Sequence, residues 1–226
     1  MCGRFTQTFT YAELHAYFDF FGKPLAVPPT NLEPKWHVRP TDSIWVVTHG
    51  DDGFKLEHMR WGLAPFWWKK PLKELPATFN ARAETVDTKP MFREAFKRRR
   101  CLIPASGYYE WQDTPTGKQP WFFSPASAPL FLIAALWETR KDPEPPGDTV
   151  RSTTMIITEP NAFTARYHDR MPVLLDRGDV LPWLTEGGAG LLRPAPDEVM
   201  RVWPVARTVN SSKAPDSPEL VRPIEL

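Results

Sequence analysis

Apolar positions along this chain recur with two different periods. Tyr11, Leu14, Tyr17, Phe18 and Phe21 fall at helical spacing. Thr10 followed by Glu13 is a capping-box pattern and Gly22 stops the run, so an amphipathic helix is expected here with its aromatic stripe in the core. After a proline-punctuated stretch over 23–43, read as loop, the period shortens. Ile44 to Thr48 and Phe54 to Trp61 read as two strands around the turn Asp51-Asp52-Gly53. Residues 62–68 (GLAPFWW) are loop-like and aromatic, 69–76 polar, and 78–85 (TFNARAET) polar and compact. A short helix is expected over 91–100, ending in the basic run Lys97 to Arg100, which opposes the negative helix end. Cys101 to Pro104 is strand-like, Gly107 to Gln112 alternates around Glu110, and Trp121 to Ser124 follows a turn at Gly117. Leu130 to Leu136, Ser152 to Thr158 and Val173 to Leu175 read as strands, and Asn161 to Arg166 as a helical turn. Val180 to Leu184 and Asp197 to Met200 read as short helices, and Val202 to Ala206 as a last strand. Lys141 to Asp148 (KDPEPPGD) is the most linker-like stretch, yet too short to separate domains.

Many short strands joined by proline-rich loops, with three or four helices, predict an α+β fold: one domain over 1–226 with a mostly antiparallel, barrel-like sheet core and a few short helices. Composition supports this. The 26 prolines disfavour long helices, and the hydrophobic fraction of 42% is that of an ordinary globular protein. A formal net charge of +1 excludes a bulk polycation, so any nucleic-acid contact must come from a local patch. With only Cys2 and Cys101 a disulfide scaffold is not expected, and Cys101 reads as a small core residue. The N-terminus lacks a signal-peptide pattern and no run reaches transmembrane length, so a cytoplasmic protein is expected.

The five histidines are scattered, without a C-x-x-C pair or H-E-x-x-H helix, and no metal is expected. Phosphate-cradling and dinucleotide glycine loops are absent, and no cofactor is expected. Four polar residues stand among apolar neighbours. Removal of Met1 would leave Cys2 with a free α-amine and a thiol on adjacent carbons, a pair that can close a thiazolidine ring on one aldehyde; otherwise Cys2 is the second residue of a loose end. Glu110, flanked by aromatics in GYYEW, is a raised-pKa acid/base or a solvent-facing strand residue. His168 is a proton shuttle or a turn histidine. Asn80 orients a reacting group or stabilises a turn. Trp67-Trp68 beside Lys69-Lys70 suits single-stranded nucleic acid, whose bases stack while cations follow the phosphates, or is a core-anchoring pair. Arg4, Arg82 and Arg170 are phosphate candidates, whereas most of Lys97 to Arg100 reads as a solvated helix end.

Several of these residues lie in motifs that resemble the SOS response-associated peptidase (SRAP) family nearly end to end. They are MCGRF at the start, WGLAPFWW at 61–68, FNARAET at 79–85, MFREAFKRRRCLIPASGYYEW at 91–111, TEPNAFTARYHDRMPVLL at 158–175 and the closing PELVRPIEL. The resemblance implies a protein that removes its own Met1. Cys2 then captures the ring-opened aldehyde of an abasic site in single-stranded DNA as a thiazolidine DNA–protein crosslink that protects the lesion. It implies Asn80 as orienter of the Cys2 amine, Glu110 as acid/base in Met1 removal and crosslinking, and His168 as helper in sugar opening and proton transfer. It further implies Arg4, Arg82 and Arg170 on flanking phosphates, and Pro40, Trp67 and Trp68 against neighbouring nucleotides. The expected partner is single-stranded DNA with abasic sites; a monomer is expected, with no membrane and no protein partner, associating with the nucleoid when DNA-bound. The loop His37-Val38-Arg39-Pro40 departs from the family's usual Asn-Val-Ala-Pro. A cysteine peptidase acting on other proteins through Cys2, His168 and Glu110, and a non-catalytic single-strand binder, are the alternatives.

Overall fold

The computed structural model describes residues 2–27, 31–142 and 149–226. Its strands are β1 (Arg4–Gln7), β2 (Leu25–Ala26), β3 (Lys35–Val38), β4 (Ser43–Gly50), β5 (Gly53–Trp61), β6 (Asn80–Arg82) and β7 (Arg100–Ala105), then β8 (Gly107–Thr114), β9 (Gly117–Pro125), β10 (Phe131–Lys141), β11 (Thr149–Thr158), β12 (Met171–Pro172) and β13 (Met200–Pro204). Three α-helices accompany them among the described residues: α1 (Tyr11–Asp19), α2 (Arg93–Arg98) and α3 (Arg177–Thr185). The α+β reading holds.

The larger sheet runs β12-β11-β10-β7-β4-β5-β2, and a parallel pairing of β11 with β5 at Ser152↔Arg60 and Thr153↔Trp61 closes five of its strands into a barrel. Closure leaves those strands no open edge. It also explains their near-continuous apolar runs, because both faces are buried. Trp45, Val47, Leu102 and Leu132 pack with Leu14 and Phe18 of α1 and Val180 and Trp183 of α3. Ile44, Val46, Ile103 and Ile133 point the other way, toward Phe5, Tyr108 and Phe123 of the second sheet. That sheet has the order β13-β9-β8-β1-β3.

The start of α1 is capped as expected. Thr10 Oγ1 accepts the Glu13 backbone N–H at 3.2 Å, and Glu13 returns a carboxylate to the Thr10 N–H at 2.7 Å. The basic run ending α2 is only partly solvated. Arg99 pairs with Glu138 at 2.7 Å, and Arg100 donates to the carbonyls of Phe96, Lys97, Trp183 and Thr185, joining α2 to α3.

The structure corrects or completes the reading at five places. The stretch 23–43 is not all loop, since Lys35–Val38 is a strand paired with β1. The four residues Arg4–Gln7 are an interior strand of the second sheet rather than a loose end. The compact segment after Thr78 holds strand β6, parallel to β11. Near 173–175 the paired residues are Met171–Pro172, with Leu174 in a single bridge to Ile133. The helix over Asp197 to Met200 is one 3₁₀ turn at Asp197–Val199 leading straight into β13. In each place a tertiary partner decides, because segments this short carry no periodicity of their own. Most of the linker-like stretch lies outside the described residues; Lys141 itself ends β10.

One residue shapes the second sheet and another ties it to the barrel. Gly107 opens β8 where a Cβ would come within 2.2 Å of the Phe122 ring and 2.5 Å of the Phe123 carbonyl, so only glycine allows that approach. Gln7, at 2% exposure, donates to the carbonyls of Trp45 (2.8 Å) and Pro104 (2.9 Å) and accepts the Trp45 N–H (2.9 Å). It thereby ties β1 to two barrel strands. Gln7→Leu strands these buried groups without partners, and each stranded group costs about 1–3 kcal/mol. A loss of about 3 kcal/mol, or about 10 °C in Tm for a chain of this size, is expected in a thermal melt. An unchanged Tm would show that the tie is dispensable.

Candidate active site

β1 lies between β8 and β3, with Arg4 opposite Tyr109 and Phe5 opposite both Tyr108 and Val38. This pairing draws the first described residue, Cys2, into the protein, where it is 1% exposed. Three neighbours reach it or each other. The Asn80 Nδ2 amide on β6 donates to the Cys2 carbonyl at 2.9 Å. The Cys2 thiol lies against the Glu110 carboxylate on β8, close enough for each to shift the other's proton affinity. His168 stands behind, its Nε2 at 3.6 Å from Glu110 Oε2. The structure therefore brings Cys2, Asn80, Glu110 and His168 together. Glu110 is 0% exposed, which excludes the reading of a solvent-facing strand residue.

Each side chain is fixed by local chain geometry. Asn80 opens a strand that runs parallel to β11, opposite Met155. His168 follows the 3₁₀ turn Thr164–Arg166, and its backbone N–H donates to the Thr164 carbonyl at 3.0 Å. Its Nδ1 accepts the Arg170 N–H at 3.1 Å. A neutral ring must then carry its proton on Nε2, the atom facing Glu110. Asp169 Oδ1 lies 3.1 Å from the same Nδ1 and favours the imidazolium if the ring takes a second proton.

Burial sets the charge states. Glu110 is raised to about 7, first by burial and further by the charge of Asp169. Burial, and then the neighbouring Glu110 charge, push the Cys2 thiol well above its ordinary value. Burial also lowers His168. Near neutrality the pocket thus holds a thiol, a neutral imidazole and a carboxyl poised to take or give a proton.

A cavity of about 320 Å³ opens against Glu110 and His168, and Trp111, Lys118 and Asn210 complete its lining. Asn210 is braced by accepting the Trp111 indole N–H at 2.6 Å. Sequence reasoning missed Lys118 and Asn210, which stand in polar segments remote from every motif; Trp111 was quoted in GYYEW without a role.

The candidate DNA-contact residues are more dispersed. Arg4 is half-buried, and its Nε donates to His37 Nε2 at 3.2 Å. Pro40 lies two residues past the end of β3. Arg82 ends β6, exposed, two residues past Asn80. Arg170 is paired with Glu84. Trp67 is 40% exposed, and Trp68 lies beside it with ring centroids 6.3 Å apart. Their loop is fixed from within the fold. Arg140, whose side chain is 0% exposed, donates to the carbonyls of Trp68 (2.8 Å) and Lys70 (3.0 Å) and pairs with Asp142. Among the described residues no cluster of His, Cys, Asp and Glu could hold a metal ion, and no helix is long and apolar enough to cross a membrane.

The fold thus buries a cysteine at position 2 beside an amide, a carboxyl and an imidazole. The family model described as SOS response associated peptidase (SRAP) matches residues 1–212, and the chain belongs to that family. It is 35% identical to the abasic site processing protein YoqW of Bacillus subtilis, over 98% of this chain and 99% of that one. It is 32% identical to the abasic site processing protein HMCES of Gallus gallus, over 76% of this chain and 58% of that one. A solved protein from Bacteroides thetaiotaomicron has the same fold, with a TM-score of 0.84 at 24% identity over 99% of this chain and all of that one.

The Glu110 shift makes a stability prediction. An unfolded chain releases this proton near pH 4.5, the folded one near 7. The stabilisation from the retained proton is complete below about pH 4.5 and is lost as pH rises through about 7, a total of about 3 kcal/mol. Glu110→Gln cannot ionise. The difference in unfolding free energy between Glu110→Gln and the wild-type protein should therefore move in the variant's favour by about that amount from pH 4.5 to pH 8. Urea melts at the two pH values check this, and a constant difference would contradict it.

Proposed function

We propose that this protein processes abasic sites in DNA. In this reading Met1 is removed, and Cys2 captures the aldehyde of an abasic site in single-stranded DNA as a thiazolidine. The observation that carries the reading is the seating of Cys2. A residue one step from the chain end is fully buried, with its backbone gripped by Asn80 and its thiol on a carboxyl poised near neutrality. A thiol and a carboxyl buried together, the carboxyl shifted to about 7, are an arrangement suited to groups that carry chemistry. The names of the relatives point to the same lesion.

The chemistry follows from the charge states. Hydrolysis of the Met1–Cys2 peptide consumes one water and frees methionine and the Cys2 amine. The amine adds to the open-chain aldehyde carbon and expels water as the imine forms, with Glu110 and His168 supplying and taking the protons. The thiol then adds to the imine carbon; its proton passes to the ring nitrogen through Glu110, and a five-membered ring closes. A thiol held protonated by burial is a poor first nucleophile, so the amine leads and the sulfur follows. Asn80 Oδ1 is buried without a hydrogen-bond partner, an acceptor suited to the liberated amine. Arg4, Arg82 and Arg170 hold the flanking phosphates, and Trp67, Trp68 and Pro40 pack against the nucleotides. An abasic nucleotide has no base to unstack, so bringing its sugar to Cys2 costs little.

The same observations weigh against a general cysteine peptidase. That chemistry needs a thiolate activated by a histidine, whereas here the thiol is raised and His168 Nε2 faces Glu110.

Wild-type protein incubated with a single-stranded oligonucleotide bearing one abasic site should give a heat-resistant shifted band on a denaturing gel, and its intact mass should lack Met1. Cys2→Ala should give no band, and Glu110→Gln should form it about 100-fold more slowly. A band of equal intensity from Cys2→Ala would defeat the reading. Cleavage of unrelated proteins that is lost with Cys2→Ala would favour the peptidase instead.

A further inference from the structure

The family resemblance leaves His37 unexplained, and the structure gives it a place. His37 is 3% exposed on β3, directly across from β1. Its ring accepts the Arg4 Nε–H through Nε2 at 3.2 Å, which fixes the neutral ring's proton on Nδ1. Arg4 also donates Nη1 to the Gly3 carbonyl at 2.8 Å. Neither contact uses Nη2, so its N–H groups stay available for an outside acceptor.

The holder is rigid. Asp216 Oδ1 accepts the backbone N–H groups of both Trp36 (2.6 Å) and His37 (3.0 Å), and the Tyr109 hydroxyl donates to the Trp36 carbonyl at 2.9 Å. Past His37 the chain turns at Thr41, whose φ of 79° is unusual for a β-branched residue. That turn is secured by the Thr41 N–H to the Trp61 carbonyl at 2.8 Å and by Arg39 N–H to Asp42 at 2.9 Å. Freezing a long, entropy-rich side chain beside the reactive residue pre-organises it for an anion.

We propose that His37 is the positioning residue for Arg4, that it acts only as the neutral ring, and that acid therefore releases Arg4 and weakens the grip on single-stranded DNA. This rests on the proposed function for the identity of the anion, a DNA phosphate. A second proton on His37 lands on Nε2, removes the acceptor and sets two cations against each other. The charged groups around the pair are few. Arg39 opposes protonation of His37 along with Arg4, Asp216 favours it, and Asp42 faces Arg4. Burial and the Arg4 charge together hold His37 below its ordinary value, so the ring is neutral at physiological pH and the release belongs to acidification.

Reversible binding of an undamaged fluorescent single strand, at pH 7.5 and 5.5 and constant ionic strength, tests this apart from the covalent chemistry. Wild-type affinity should fall on acidification, reaching the roughly tenfold scale of one charge-assisted contact only where His37 is fully protonated. His37→Phe, with no acceptor, should bind about tenfold more weakly at pH 7.5. His37→Gln should restore that loss and flatten the pH response. Arg4→Ala should bind weakly at both pH values, and adding His37→Gln to it should change nothing. Nitrogen-15 NMR should show an unprotonated Nε2 on His37 at pH 7.5. A protonated Nε2 there, the same pH profile in wild type and His37→Gln, or a pH effect that survives in Arg4→Ala would overturn the role of His37. A missing covalent band with this binding pattern intact would overturn the capture reading alone; no single-strand binding by wild type at pH 7.5 would overturn both.

Discussion

The structure depends on holding the first few residues of the chain in place. A strand of four residues at a terminus has little intrinsic tendency to form, and conformational entropy works against it. Here β1 is held on both edges by β8 and β3, and from beneath by Gln7, whose amide satisfies backbone groups of two barrel strands. With β1 fixed, Phe5 packs edge-on against Trp61 and Cys2 lies buried beside Glu110. The site is therefore a consequence of sheet pairing, and weakening that pairing would loosen the site.

The barrel supplies the rest of the pocket by another route. Closure through β11 and β5 leaves room beside β11 for the short strand β6, which carries Asn80 to Cys2. The Trp61 indole donates to the Phe79 carbonyl at 2.8 Å, so the residue before Asn80 is also tethered. The segment from Thr164 to Arg170 is locked by its own backbone bonds and presents His168 Nε2 to the carboxyl. The four side chains of the site thus come from four separate segments, positioned by backbone hydrogen bonds as well as by contacts such as that of Asn80 with the Cys2 carbonyl. This lets the polar groups keep unusual protonation states without loosening the fold.

Burial is the main cause of those protonation states. Glu110, Cys2 and His168 are all shifted first by removal from water, and their mutual charges refine the result. A carboxyl raised to about 7 costs stability above that pH. Positive charge is treated differently. Arg140, Arg99 and Arg100 are consumed by internal carbonyls and carboxylates, Arg170 is paired with Glu84, and Arg82 is exposed. Arg4 is held by His37 and Gly3 through Nε and Nη1.

The sequence determined the capped helix α1, the hairpin of β4 and β5, the long strands β10 and β11 and the fold class. In each of these the apolar period runs for enough residues to define a face or a fully buried run. Motif resemblance also named Cys2, Asn80, Glu110 and His168, because their neighbours are distinctive. Only the tertiary structure decided that Arg4–Gln7 and Lys35–Val38 are strands, since segments of four residues take their conformation from their partners. It alone decided that Glu110 is buried rather than facing water, because alternation around a strand residue does not say which face is covered. It brought Lys118 and Asn210 to the pocket and His37 to Arg4. Asn210 and His37 meet their partners across tens of residues of chain, and Lys118 comes back to Glu110 through the β8–β9 hairpin, none of which a local motif marks.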